Sequence, residues 1–377
     1  MDFALNADQQ ALQQSVRDVL HREANIEHVR TFMETPDNGA QHTWRTMTQL
    51  GWPAMLIPTA YGGLGLSAIE VVVVCQELGR ALHGGPLLAS SILATFAATE
   101  LGCDDLLRSL ATGAHTATIA FEEAGHGDPL QQIRTTATPT DDPGTYVLDG
   151  TKVLVIDGHL ADTVIVAARV ADHSLASFLV DRRSVSAATF VPTATLDLTR
   201  TFAAATFDAT PATPIVTARG ADHEHIWRSI AEFGALAMSA ELLGVSEAAT
   251  ALALDYAQTR EVFGKPLTKF QVTRHKAVDL LRETELARVG VHNAAWAWAS
   301  ADPSRTTAVA MAKSFAAEAA NHAGAECIQI HGAMGYTWEC DAHLFLRRAK
   351  VNDLLFGAQQ WHRTRVADDY FSADGAR

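Results

Sequence analysis

The sequence predicts a mainly helical α+β fold in three parts: a helical front, a β-rich middle and a long helical bundle at the back. Half of the twelve prolines fall between Pro129 and Pro214 and only Pro266 and Pro303 lie beyond, so helix breakers crowd the middle and thin out afterwards. The middle carries short β-branched runs with no helical period, whereas the last part returns to three-and-four spacing. The expected boundaries are residues 1–115, 116–216 and 217–377.

At the front, Asn6 followed three residues later by Gln9 predicts a capping box, and Leu12, Val16, Val19 and Leu20 recur at helical spacing behind it. In the middle, YVL at 146–148 and TKVLVI at 151–156 flank Asp149-Gly150, a dipeptide suited to the positive φ angles of a type I′ turn. A β-hairpin is expected there. TVIVAA at 163–168, SFLV at 177–180 and the run ending at Phe207 add strands, and an antiparallel barrel or sandwich fits them better than βαβ units. At the back, Ala277, Leu280, Thr284, Ala287, Val291 and Ala294 form a small-residue face for close helix packing. Pro266 and Pro303 punctuate three long helical segments there.

Composition narrows the function. A chain of 377 residues with 48% apolar and 19% charged residues can bury a real core. Its formal charge of -14, with no basic run, speaks against nucleic acid or an anionic membrane as partners. Cys75, Cys103, Cys327 and Cys340 form no C-x-x-C pair, so reduced thiols are expected rather than zinc or disulfides. The N-terminus MDFALNADQQ has neither the basic nor the apolar region of a signal peptide, and no stretch of about 18–20 apolar residues is present, so the expected location is cytoplasmic. YGGLG at 61–65 follows no strand and reads as a turn; the H-E-H at 223–225 lacks the spacing that puts two histidines on one helix face, and no metal is expected.

The sharper signal lies further on. Arg260, Phe263 and Gly264 in TREVFGKPL precede Gln271 in FQVTRH, and QIHGAMGYTWE follows at 329–339. With YGGLGLS at 61–67, ELGRAL at 77–82 and LDGTKVLVIDG at 148–158, these segments resemble the acyl-CoA dehydrogenase flavoproteins over nearly the whole chain. The resemblance implies FAD as cofactor, with Arg260 on its pyrophosphate, Phe263 packed on it, and Gln271, Gln329 and Gly332 reaching a flavin held mainly by another subunit. A guanidinium forks onto a diphosphate, and a glutamine offers both a donor and an acceptor, so the chemistry suits the residue types.

Two departures stand out. The family's T-E-P-x-x-x-S-D stretch is here FEEAGHGD at 121–128, without the threonine and serine, and its W-I-T/S-N is replaced by Val153, Leu154, Val155, Ile156 and Asp157. The glutamate that removes the substrate α-proton is missing as well. Aligned through RRAK at 347–350, its usual position is Phe356, and its alternative position, about 26 residues before Arg260, is Gly234. Among nearby acids, Glu232 and Glu241, Glu241 lies two helical turns from Gly234 on nearly the same face and is the candidate catalytic base, the other reading being a buried or interface carboxylate satisfied by a neighbour. Glu339 and Asp353 are weaker candidates, read as a helix-cap contact and a solvated charge.

The resemblance therefore implies an FAD-dependent dehydrogenase of an acyl-CoA or acyl-carrier thioester that hands electrons to an external acceptor. The alternative is a non-catalytic subunit of a heteromeric acyl-CoA dehydrogenase, lending its FAD contacts to a paralogous partner; a flavin oxidase or monooxygenase on the same fold is a further one. A homo-oligomer or a heteromer is expected, and the acyl group stays open.

Overall fold

The computed structural model describes residues 5–217 and 222–374. The front contains α1 (Ala7–Glu23), α2 (Ile26–Glu34), α3 (Pro36–Gln49), α4 (Ala68–Arg80), α5 (Thr95–Leu101) and α6 (Asp104–Ala111), with Leu87–Ala94 wound in the wider π form ahead of α5. α1 begins at the expected capping box, Asn6 and Gln9 each accepting the other's backbone N–H, and buries Val16, Val19 and Leu20. α4 starts on a second box, Ser67 with Glu70, and buries nearly its whole length.

The middle contains β1 (Ala117–Ala120), β2 (Thr136–Pro139), β3 (Tyr146–Ile156), β4 (Thr163–Arg169), β5 (Leu175–Asp181), β6 (Phe190–Pro192) and β7 (Phe202–Pro214). β4, β2, β3, β7 and β5 pair in that order and β5 returns to β4, closing a small barrel. β1 extends the same edge of β4 as β2, in parallel; the longer ladders are antiparallel. The interior holds Leu148, Val164, Val166, Phe178, Val180 and Phe207.

The hairpin expected at Asp149-Gly150 is absent. β3 runs straight through it, pairing with β2 on one side and β7 on the other, and the register slips between Leu148 and Gly150. Gly150 has φ +145 rather than a left-handed turn geometry, and a Cβ there would lie 2.6 Å from Thr135 Oγ1. The dipeptide serves a β-bulge, where glycine lets a neighbouring strand approach.

The back contains α7 (His223–Thr259), the two-stranded hairpin β8 (Glu261–Val262) and β9 (Lys265–Pro266), then α8 (Gln271–Ala299), α9 (Arg305–His331), α10 (Ala342–Leu354) and α11 (Gln359–Asp374). The three long helices that Pro266 and Pro303 imply are α7, α8 and α9. α7 is long and apolar enough to match a membrane span, but 83% of its most apolar window is buried inside the protein, so that character serves the core. α4 and α7 cross at backbone contact: a Cβ on Gly244 would lie 1.8 Å from the Gln76 carbonyl, and one on Gly79 2.0 Å from that of Glu241. Gly244→Ala is therefore expected to force the two helices apart at a cost of about 3 kcal/mol, read as a lowered urea midpoint with an unchanged m-value.

One buried cluster joins all three parts. Arg348 of α10 is fully buried, and its Nε donates to Asp197 Oδ2 at 2.6 Å. Its Nη atoms reach the carbonyls of Leu82 and His83 in the front and that of Thr199 before β7. Beside it, Arg200 Nη2 donates to both oxygens of Glu241 at 2.6 and 2.8 Å, and Asn352 Nδ2 donates to Glu241 Oε2 at 2.7 Å.

Candidate functional site

The segments that carry Arg260, Phe263, Gln271, Gln329 and Gly332 meet at one end of the bundle, because α7 ends, α8 begins and α9 ends there. Tyr256 near the end of α7 stacks on His331 of α9, ring centroids 4.2 Å apart, and its hydroxyl contacts Met334. Lys276 of α8 pairs with Glu326 of α9. Between α7 and α8, Phe263 and Gly264 adopt φ +52 and +72, the two left-handed residues of a type I′ turn between β8 and β9. This is the turn geometry that the sequence suggested at Asp149-Gly150.

That turn holds the Phe263 ring 90% exposed in a conformation that costs a non-glycine residue about 1 kcal/mol. Arg260 is exposed, and among the described residues its guanidinium has no ion-pair or hydrogen-bond partner. Gln271 is the first residue of α8, a 29-residue helix whose N-terminus carries no side-chain cap, and its amide lies 3.4 Å from the His275 ring. Gln329 is exposed in the last turn of α9, and Gly332 ends that helix with φ +63. In the single chain these groups face solvent. A free guanidinium, an uncapped helix N-terminus and a bare aromatic ring fit the diphosphate and adenine end of a dinucleotide.

A second region lies where the barrel meets α10 and α11. A cleft of about 290 Å³ is bounded by the loop from Glu122 to Gly127, by Val153 and Leu154, and by residues from Leu354 to Trp361. Glu122 Oε1 accepts the backbone N–H of Phe356 at 2.7 Å. Burial pushes the Glu122 carboxyl up to about 7, against the opposing pull of that hydrogen bond and of the Lys313 charge. Lys313, fully buried on α9, donates to the carbonyls of Asn352, Asp353, Leu355 and Gly357 between 2.8 and 3.1 Å, and burial lowers its pKa to about 8. The turn after α10 is thus pinned from two sides.

Phe356 itself has φ +58, is 3% exposed and lies over Gly234: a Cβ on Gly234 would be 2.3 Å from its ring. Its ring also meets Phe121 at 5.6 Å. The two positions where the resemblance leads one to expect the base therefore face each other, the Phe356 ring lying over the bare backbone of Gly234. The space left beside Phe356, lined by Leu93, Ile119, Phe121 and Leu154 among others, is about 10 Å³, no more than a single water occupies. Further along α7, Phe233 stacks on Phe96 at 3.9 Å with Trp298 against both.

Glu241 is not at this cleft. It is fully buried, with both oxygens committed to Arg200 and Asn352, so it acts as a carboxylate of the interdomain cluster, the alternative the sequence left open. Asp353, read as a solvated charge, instead accepts from the Gln359 backbone at the start of α11 and from the Asn321 amide. Glu122 and Lys313 carry no pattern in the sequence that marks them: Glu122 stands within FEEAGHGD, whose departure lies in its missing threonine and serine, and Lys313 is a lone cation in the alanine-rich face of α9.

The Glu122 protonation has a measurable consequence. The unfolded chain releases this proton near the ordinary 4.5 and the folded chain holds it to about 7, so the folded state binds more protons in that window and stability falls as pH rises through it. Glu122→Gln is expected to flatten that fall; urea midpoints of both proteins between pH 4.5 and 7 check it, and parallel curves would show that Glu122 titrates normally.

Comparison with known proteins agrees with this architecture. Residues 6–114 match the acyl-CoA dehydrogenase N-terminal domain, and residues 226–371 the acyl-CoA dehydrogenase C-terminal domain. The chain is 31% identical to the acyl-CoA dehydrogenase IpdE2 of Mycobacterium tuberculosis over 343 residues, covering 91% of each chain. It is 29% identical to IpdE2 of Mycolicibacterium smegmatis, covering 97% of this chain and all of that one. The ChsE4-ChsE5 complex of Mycobacterium tuberculosis contains a similar fold, with a TM-score of 0.85, 24% identity and coverage of 98% and 99%. A closed barrel set between front helices and a helical bundle defines a three-domain flavoprotein architecture. The chain belongs to the acyl-CoA dehydrogenase family, whose members are FAD-dependent oxidoreductases acting on CH–CH bonds.

Proposed function

We propose that this chain is the non-catalytic member of a two-chain acyl-CoA dehydrogenase, lending Arg260, Phe263, Gln271, Gln329 and Gly332 to an FAD seated mainly on a paralogous partner. The observation that carries this is the Phe356 ring packed on Gly234. Abstraction of the α-proton needs a carboxylate beside the acyl group, and here the space beside Phe356 is only about 10 Å³ and neither residue 234 nor residue 356 is an acid. FAD, when bound, accepts the hydride from the β-carbon.

The residues fit that group unevenly. The bundle end offers free donors and an exposed ring, whereas the cleft presents Glu122 and Glu123 beside Val153 and Leu154, with no hydroxyl to meet a flavin pyrimidine. Exposed apolar residues on α8 (Val278, Leu281 and Val289) and α9 (Met311 and Phe315) supply a surface for another subunit. The ChsE4-ChsE5 structure is itself a complex of two differently named chains, which supports the same reading.

A second reading keeps the chain active, as an FAD-dependent dehydrogenase of an acyl-CoA that passes its electrons to an external acceptor. It rests on Glu122, a carboxyl at the cleft that is poised near neutrality and could serve as a relocated base. The chain purified alone separates the two. The expected result is less than one FAD per chain and no loss of flavin absorbance with a panel of CoA thioesters. A yellow homo-oligomer with one FAD per chain, bleached by a thioester in a manner lost in Glu122→Gln, would overturn the partner-subunit reading.

A further inference from the structure

Gly332 leaves α9 at φ +63 and opens a single 3₁₀ turn, Gly332–Tyr336, that folds back on the helix end: a Cβ on Gly335 would lie 2.4 Å from the Ile328 carbonyl oxygen. Beyond it the chain turns twice more before α10, the Thr337 and Cys340 N–H groups donating to the carbonyls of Met334 and Thr337 at 2.9 and 3.3 Å. Local turns of this kind open easily unless something distant holds them. Here the hold comes from the front of the chain. Arg30 of α2 donates from Nε and Nη2 to Asp341 Oδ1 at 3.1 and 2.7 Å, and from Nη2 to the Trp338 carbonyl at 2.8 Å. Its guanidinium carbon lies 6.0 Å from the centre of the Trp338 ring, and that ring stacks on His343 of α10, centroids 5.2 Å apart. The Arg30 and Asp341 side chains are 28% and 29% exposed, so the pair is partly shielded from water. α2 is itself fixed by Val29 and Phe32, both buried.

We propose that Arg30 is a positioning residue for the cofactor edge of the bundle: by clamping Trp338 and Asp341 it holds the Gly332–Tyr336 turn where the bundle end meets FAD. The proposal rests on the function proposed above, which takes Gln329 and Gly332 as cofactor contacts; the clamp itself does not depend on that reading. A guanidinium suits the task because one planar group aims several donors at a carboxylate and a carbonyl together, whereas an ammonium acts as a point charge. The front helices thereby reach a site whose other parts come from the bundle.

The test uses the full chain and its assembled oligomer. In Arg30→Ala, hydrogen exchange of the full chain is expected to quicken at the Thr337 and Cys340 amides and to stay unchanged in the middle of α8 around Leu280. FAD retention by the oligomer, read as flavin absorbance after gel filtration, is expected to fall about fivefold. Arg30→Lys keeps the charge and is expected to recover part of both. Arg108→Ala removes an exposed pair with Asp105 on α6 and, as the control, is expected to change neither. Unchanged exchange at Thr337 and Cys340 would show that Arg30 does not hold the segment. Faster exchange with flavin unchanged, in an oligomer that loses flavin with Arg260→Ala, would take Arg30 out of cofactor positioning and leave the reading of the site standing. Flavin unchanged in both variants would remove the site and this role with it. Exchange quickened equally along the whole chain would mark general loosening and would also overturn the proposal.

Discussion

Arg348→Ala is expected to cost about 3–5 kcal/mol of folding stability. Arg348 is fully buried and meets Asp197 Oδ2 at 2.6 Å together with the carbonyls of Leu82, His83 and Thr199. Its loss leaves an unpaired carboxylate and a void at the point where the three parts of the chain touch. Burial desolvates this guanidinium and lowers its pKa, with Asp197 opposing, so the pair carries a large desolvation cost that is offset only while both members are present. Arg348→Met fills most of the volume but keeps the orphaned Asp197, and the double variant with Asp197→Asn is expected to recover part of the loss. Urea unfolding of the wild type, Arg348→Met, Asp197→Asn and the double variant gives the coupling. A loss below about 1 kcal/mol in Arg348→Ala would show that the front and barrel are held on the bundle by apolar packing alone.

Arg260→Ala is expected to weaken FAD retention in the assembled oligomer by at least about 2 kcal/mol, roughly 30-fold. The free guanidinium spends no competing pair when it meets a phosphate, because among the described residues nothing engages it in the single chain. Arg260→Lys keeps the charge but not the fork and is expected to fall between the two. Arg274→Ala is the control: Arg274 lies beside the same helix start, and its Nε is already bonded to the Thr268 carbonyl. Flavin absorbance per oligomer after gel filtration reads the effect, and equal flavin in wild type and Arg260→Ala would take Arg260 off the cofactor.

Much of the architecture was legible because it depends on local rules. The Asn6 and Gln9 box needs only residues three apart, and the breaks at Pro266 and Pro303 follow from a missing donor and a fixed φ. The Asp149-Gly150 reading failed where a local rule met a long-range one. The dipeptide can turn, but pairing to β2 and β7 on both sides satisfies more backbone groups than a hairpin would, so the strand continues through a bulge. The turn itself appears at Phe263-Gly264, where a phenylalanine in a left-handed conformation is not what propensity suggests.

The site divides in the same way. Sequence by itself determined the order of helices, barrel and bundle and the absence of a carboxylate at residues 234 and 356, because residue type and spacing are fixed before folding. Only the tertiary structure decided that Phe356 packs on Gly234, that Glu241 belongs to Arg200 rather than to a substrate, and that Glu122 and Lys313 hold the turn after α10. A carboxylate's role depends on what surrounds it, since burial and nearby cations set its proton affinity and its access, and those neighbours come from parts of the chain 41 to 234 residues away.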